Sequence, residues 1–327
     1  MTRVLSATAL LVLGFAAFSV ASVASRGPTP RLIAWAPSSE ITFTAPFDTG
    51  GIWIVEPDGA GLRRFVRKGA LTSFLAWSPD GGALLFARPS SLFTVRSDGT
   101  GLRPLARSLG LGFGIWSPNG SQIAFQGSGG IFVASANGTR ARRVTNDYFA
   151  DAGAPAFSPD GKRLAYIKCA APPSSTLCEH GGGLDVYVVN LDTGSEKRVT
   201  RRSGSPQCVA WSSAGHLAFS TDHGVAVVQK NGLLRSFLPG GCPVWSPRGH
   251  RFAVPTNDGV AVVAGDGSGR RRIRVANGKL GFRAVAWAPD GRSLALVGYP
   301  FNPQPGAPYA GQLYIVPLSG VKPHRIR

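Results

Sequence analysis

One pentapeptide constrains this chain more than any other feature. Trp77-Ser78-Pro79-Asp80-Gly81 recurs as WAPSS from Trp35, WSPNG from Trp116, FSPDG from Phe157, WSSAG from Trp211, WSPRG from Trp245 and WAPDG from Trp287. Each copy ends an apolar run with a large aromatic and then turns. Proline presets φ for the second position of a tight turn, aspartate caps its own backbone, and glycine accepts the left-handed conformation. A strand therefore stops and a hairpin begins at each copy.

The segments between the copies repeat as well. The returning strand alternates, with Leu84 and Phe86, Ile123 and Phe125, Leu164 and Tyr166, Leu217 and Phe219, Phe252 and Val254, and Leu294 and Leu296 on one face. A third strand follows, as IWIV from Ile52, LFTV from Leu92, IFVA from Ile131, VYVV from Val186, VAVV from Val225, VAVV from Val260 and LYIV from Leu313. The next turn is usually Asp-Gly or Asn-Gly, as at Asp58-Gly59, Asp98-Gly99 and Asn137-Gly138. A basic fourth strand closes the unit, as in LRRF from Leu62, ARRV from Ala141 and EKRV from Glu196. Each unit is predicted to be a four-stranded antiparallel meander.

No single unit can bury both of its faces, so neighbours must stack. The aromatic anchors are spaced 42, 39, 41, 54, 34 and 42 residues apart, within the range of propeller blades. Four-stranded units stacked radially form a β-propeller, and the count is seven. A β-sandwich would give no reason for an aromatic at one fixed register in every unit, and in the propeller Trp77, Trp116, Trp211, Trp245 and Trp287 are expected to lie buried between adjacent sheets. With 43 Gly and 25 Pro in 327 residues but 43% hydrophobic residues, the composition is that of an all-β chain with enough apolar content for a core. The expected organisation is an export signal over residues 1–25 and a seven-bladed propeller over 26–327. Arg3 starts the leader, Val4 to Val23 is apolar, and Ser22-Val23-Ala24 offers a small-x-small cleavage site. The same residues 4–23 would alternatively serve as an uncleaved membrane anchor. Either way the propeller is expected outside the cytoplasm.

On these motifs the repeats resemble the TolB-like, or WD-like, propeller family. The likeness is carried by WSPDG, the alternating strand, the apolar third strand, and DGAGLRRF from Asp58 with DGTGLRPL from Asp98. It covers nearly all of the expected propeller. It implies a fold and leaves function open, because function resides in sites grafted onto folds. TolB itself is similar to a small α/β domain followed by six blades. Seven units leave no space here for such a domain, so a place in a Tol–Pal type complex is left open.

The chain shows no G-x-S-x-G elbow, H-E-x-x-H, P-loop or EF-hand loop. The turn aspartates are read as hairpin chemistry. No catalytic residue, cofactor or metal site is assigned. Four cysteines in an exported chain point to two disulfides. Cys169 and Cys178 bracket the longest insertion; with His180 they would otherwise form part of a zinc site. Cys208 lies three residues before Trp211, and Cys242 three before Trp245. That shared register on two innermost strands predicts a Cys208–Cys242 bridge between the fifth and sixth units, near the mouth of the central channel.

The formal net charge is +18. Much of the excess falls on fourth strands: Arg63, Arg64, Arg103, Arg142, Arg143, Lys197, Arg198, Arg270, Arg271, Arg272 and Arg274. These are the outer edges of the blades. A basic circumference would discourage edge-to-edge aggregation, attract anionic envelope polymers or lipid head groups, or both. Nucleic acid is not an expected partner, since the chain is read as exported and lacks a stacking-aromatic motif.

The meander also sorts the connections. First-to-second and third-to-fourth turns share one face and are short. Second-to-third and unit-to-unit connections share the other, and these are expected to be the elaborate, ligand-facing ones. On that face Tyr148, Phe149, Asp151, Arg201, Arg202, Tyr299, Phe301, Asn302 and Tyr309 are the binding candidates; the aromatics would serve a protein interface or pack beneath their own loops. The resulting expectation is a non-catalytic, monomeric binding platform for a protein or an anionic envelope polymer. The alternative is a propeller lyase acting on an acidic oligosaccharide, which would need histidines clustered near the axis. His216, His250 and His324 belong instead near strand boundaries or the rim, and His216 and His250, just after their turns, are read as solvated surface.

Overall fold

The computed structural model describes residues 32–44, 51–67, 74–88, 91–107, 113–127, 129–145, 155–170, 183–201, 206–229, 232–235, 241–275, 280–301 and 311–326. Its strands form seven four-stranded antiparallel sheets, each built from four strands consecutive in sequence. Blade 1 spans Ile33–Val66, blade 2 Leu75–Arg107, blade 3 Gly114–Arg143, blade 4 Ala156–Arg198, blade 5 Val209–Arg235, blade 6 Val244–Arg274 and blade 7 Leu280–Arg325. Among the described residues no blade borrows a strand from another, and the ring closes without strand exchange. Ile41, Phe43 and Val55 of blade 1 pack against Ala295, Val297, Leu313 and Ile315 of blade 7, and His324 Nε2 lies 3.5 Å from Pro57 O. The core is correspondingly divided into seven inter-blade clusters, one per junction. The architecture is the all-β, seven-bladed propeller anticipated from the repeats.

The turn between first and second strands works as expected and uses one residue more. In blade 2, Gly81 N–H donates to Ser78 O at 2.9 Å, and Gly81 sits at φ 72°, a conformation that favours glycine. Asp80 accepts from Gly82 N–H at 3.0 Å and from the Ser78 hydroxyl. Ser78 Oγ in turn accepts from Ala83 N–H at 2.9 Å. Blade 3 repeats this with Ser117 and Asn119, and blade 4 with Ser158 and Asp160. The serine is buried in each case, down to 0% exposure at Ser158. It ties the turn carboxylate or amide to the start of the second strand. Replacing Ser158 by Ala leaves the Arg163 N–H without that acceptor, and urea unfolding is expected to show a loss of about 1–2 kcal/mol.

The same bonds hold the Asp80 and Asp160 carboxyls below the ordinary value of 3.8, the serine hydroxyl first and the backbone N–H two residues on second. A depressed folded pKa gives stability that is present above the unfolded value and lost as pH falls through the folded one. Both carboxylates are largely exposed, so the effect is small. Acid titration of unfolding should show a shallower loss below about pH 4 for Ser78→Ala than for the parent chain.

Each aromatic anchor packs into the junction with the preceding blade, but the burial expected for Trp77, Trp116, Trp211 and Trp245 is incomplete. All four are half-buried, and Trp287 alone of the five is buried, at 6% exposure. The anchor ends the inner strand, so its indole reaches past the sheet toward the turn face. A residue at the start of the preceding blade's second strand covers it there. The Arg163 guanidinium lies 5.1 Å over Trp211, Arg251 lies 5.9 Å over Trp287, and His216 stacks on Trp245 at 6.0 Å. His216 therefore has a packing role, where a solvated surface was expected. The clipped WSSAG turn brings it one residue earlier, into the register of Arg163 and Arg251.

The indole N–H groups are used as ties. Trp116 donates to Ala76 O at 3.0 Å, Trp245 to Ala210 O at 2.9 Å and Trp287 to Val244 O at 2.8 Å. In every case the acceptor is the residue just before the preceding blade's own tryptophan. Trp77 bonds Thr42 Oγ1 at 2.9 Å instead. Trp211 Nε1 is buried with no hydrogen-bond partner among the described residues, next to the blade whose anchor is Phe157.

Candidate binding surfaces

The outer strands carry the predicted basic belt. Arg63, Arg64, Arg103, Arg142, Arg143, Lys197, Arg270, Arg271, Arg272 and Arg274 are exposed, and Arg198 is half-buried. Much of this charge is engaged within the ring. Arg142 of blade 3 donates to Leu191 O of blade 4, and Arg271 of blade 6 donates to Leu318 O of blade 7, both at 2.7 Å. These are equivalent clasps, each reaching the residue just after the next blade's third strand. Arg63 pairs with Glu40 at 2.8 Å, and Arg272 and Arg274 pair with Asp258 at 2.8 and 3.3 Å. Burial works against the Asp258 carboxylate, but the bonds from Arg272 and Thr256 and the two guanidinium charges outweigh it and hold its pKa low. The clasps are a third use of the belt, which edge position alone does not reveal. Arg142→Ala and Arg271→Ala are each expected to cost about 1 kcal/mol in urea unfolding, because a single charged hydrogen bond at the rim is partly screened.

The opposite class of connection gathers at one end of the ring. Not all are elaborate there. The second-to-third hairpins of blades 3, 5 and 6 are tight, closing at Gly127↔Gly130, Thr221↔Gly224 and Thr256↔Gly259. Of the predicted contact residues, Tyr148, Phe149, Asp151, Arg202, Asn302 and Tyr309 lie outside the described residues. Arg201 is exposed, Tyr299 is half-buried, and Phe301 is exposed. The three are not gathered in one cluster: Arg201 follows blade 4, whereas Tyr299 and Phe301 are on blade 7.

Blade 4 carries a polar network at this end. Asp185 is buried and accepts from Arg198 Nη2 and from the Thr200 hydroxyl at 2.7 Å. Glu196 accepts from the Tyr166 hydroxyl and the Lys168 ammonium, and Lys168 lies 4.4 Å over the Tyr187 ring. Burial first, opposed by nearby Arg198 and Lys168, raises the Tyr187 phenol. The Arg-x-Thr pair recurs in blade 3, where Arg143 Nε donates to Thr145 O and Thr145 Oγ1 accepts from Ile131 N–H. Its shared part is a strand tie. Sequence reasoning passed over it, although Arg143-Val144-Thr145 and Arg198-Val199-Thr200 are identical tripeptides.

The inter-blade disulfide is present. Cys208 and Cys242 are bonded, with Cα atoms 5.7 Å apart. They sit just before the inner strands of blades 5 and 6, at the mouth of the channel. Cys169 is also disulfide-bonded, and Cys178, its expected partner, lies outside the described residues, as does His180. Among the described residues no three His, Cys, Asp or Glu side chains converge as metal ligands. No helix among them is long and apolar enough to cross a membrane, and residues 4–23 lie outside that set.

The geometry matches known propellers. TolB from Acinetobacter baumannii superposes with a TM-score of 0.50 at 21% identity, over 73% of this chain and 61% of that one. In fold the chain is a TolB-like β-propeller. It spans less than two thirds of the length of that TolB. The likeness extends to structures of proteins named for different activities. A hydrazine synthase structure from Kuenenia stuttgartiensis gives a TM-score of 0.63 at 16% identity, covering 92% of this chain and 99% of that one. A puromycin hydrolase gives 0.66 at 14% identity, covering 93% and 54%. No protein-family model and no curated protein matches the sequence. At these identities the TolB-like propeller is established as a fold, and its use has to be argued from its surface.

Proposed function

We propose that this TolB-like propeller is a non-catalytic binding platform outside the cytoplasm, taking a protein or an anionic envelope polymer as its partner. The observation that carries the reading is the exposed cationic circumference on a ring stitched blade to blade. Rigid scaffolds that present charge in this way gather oppositely charged partners from solution and hold them with little ordering cost. The disulfide between blades 5 and 6 supports an oxidising compartment, since such bonds are rare in reducing ones. A monomer suffices for this role, and the basic rim would oppose ring-to-ring association through like charge.

The test is retention of envelope components on the immobilised propeller at low salt and their release at about 0.5 M salt, where screening shortens to a few ångströms. Retention of a defined polymer or protein, lost with salt, is the expected result. Conversion of an acidic oligosaccharide to unsaturated products by the purified chain would replace the platform with the lyase alternative.

A further inference from the structure

Blade 7 departs from its six counterparts at the loop-bearing end. Its innermost strand, Leu280–Trp287, has eight residues, whereas the other innermost strands have two or three. The second strand, Ser293–Pro300, is extended to match, with Leu280↔Pro300 as the last pair. The hairpin thus forms a wall above the channel mouth. The register between the two strands shifts between Phe282 and Ala284, leaving Arg283 as the extra residue of a bulge. Such bulges re-aim a side chain and are frequent beside functional sites. Here Phe282 packs toward blade 6 and Ala284 toward blade 1. Arg283, between them, is exposed on the strand whose free edge borders the channel. It has no hydrogen-bond or ion-pair partner among the described residues.

A second feature stands beside it. Phe301 is 48% exposed. Its ring lies against Gly281, where a Cβ would come within 3.0 Å of Cε1. Gly298 makes similar room for Phe282, at 2.8 Å from its Cε1. Two glycines therefore seat two aromatics on this wall, one buried and one left half open to solvent. Arg67 at the end of blade 1 and Arg201 after blade 4 are exposed at the same end of the ring with no ion-pair partner among the described residues, whereas Asp185 and Asp258 there are paired with arginines.

We propose that Arg283 and Phe301 form a docking point for an acidic peptide segment of a partner protein, with the guanidinium taking a carboxylate and the ring taking an apolar or aromatic side chain. Arginine forks match carboxylates in two parallel bonds, and arginine with an aromatic is the pairing enriched at interface centres. Arg67, at the end of the neighbouring blade 1, adds positive charge at this end. The assignment rests on the platform reading and narrows it to one face and one chemistry.

The full exported chain is titrated with three probes: a random glutamate–tyrosine copolypeptide, polyglutamate and polygalacturonate. The copolypeptide is expected to bind best. Arg283→Ala and Phe301→Ala should each weaken it by about tenfold, with Arg283→Lys recovering only part because the fork is lost. Arg248→Ala on the short-turn face, an exposed cation outside both the rim belt and this wall, should leave it unchanged. Circular dichroism confirms that each variant is folded, and neither side chain is deeply packed. Equal binding by the parent chain, Arg283→Ala and Phe301→Ala overturns the proposal. So does a preference for polygalacturonate that depends on Arg103 and not on Phe301, an outcome that keeps the platform but moves its site to the circumference. Failure to bind any of the three probes overturns the acidic-peptide assignment, while salt-sensitive capture of envelope components would still stand as the separate test of the platform.

Discussion

Trp287→Ala is expected to destabilise the propeller by about 3–5 kcal/mol, the range for large aromatic truncations in cores. Three losses coincide at this residue. The side chain is almost fully buried in the junction of blades 6 and 7, among Leu280, Phe282, Val285, Leu294, Leu296 and Val316. Its N–H ties blade 7 to Val244 O of blade 6 at 2.8 Å, and that carbonyl would lose its donor. Arg251, stacked 5.9 Å above the ring, would lose its platform. Trp287→Phe separates the terms, since it keeps most of the apolar contact and removes the tie, at a cost of about 1–2 kcal/mol. Trp116→Ala should cost less than Trp287→Ala, because Trp116 is only half-buried. Urea unfolding of the three variants checks the order. A loss below about 1 kcal/mol for Trp287→Ala would mean that the blade 6–7 junction repacks around the gap.

Removal of the Cys208–Cys242 bridge is the second large effect. The cysteines are 34 residues apart in sequence, and the chain-entropy model gives about 3–4 kcal/mol for closing a loop of this length, with observed gains often smaller. The location argues that the observed value will not be negligible. Among the described side chains, the junction it spans, between blades 5 and 6, is lined by Ala218, Val225, Val227, Val254, Ala261 and Val263, with Phe252 as the one large buried side chain. Every other junction buries at least one leucine or isoleucine. The described side chains remove less apolar area from water at this seam, so the covalent tie is expected to carry a larger share of its closure. Cys208→Ser with Cys242→Ser is expected to lower Tm and to raise hydrogen exchange first in the inner strands of blades 5 and 6. Exchange that rises uniformly around the ring would show that the blades unfold as one unit and that the seam is no weaker than its neighbours.

The repeat could be counted, and the meander of each unit ordered, from the chain alone. This is because hairpin geometry is local: Pro79, Asp80 and Gly81 encode their turn within five residues, and the alternation of Leu84 and Phe86 encodes a face. The Cys208–Cys242 pairing was legible for a related reason. Two cysteines in one register of adjacent repeats become neighbours once the repeats are stacked. The Ser158 tie was missed although it is equally local, since serine has many uses in turns and only its burial singles this one out. What the folded ring alone determines is what crosses between blades. The partial burial of Trp77, Trp116, Trp211 and Trp245, the cover given by Arg163, Arg251 and His216, and the Arg142 and Arg271 clasps all depend on how far one sheet sits above the next. A one-residue difference in turn length moves His216 into that cover. The bulge at Arg283 depends likewise on a pairing offset between two strands, and strand pairing is settled by the packing of both faces at once. Local chemistry writes the blade, whereas the contacts between blades decide which charges are spent inside the ring and which remain outside it for a partner.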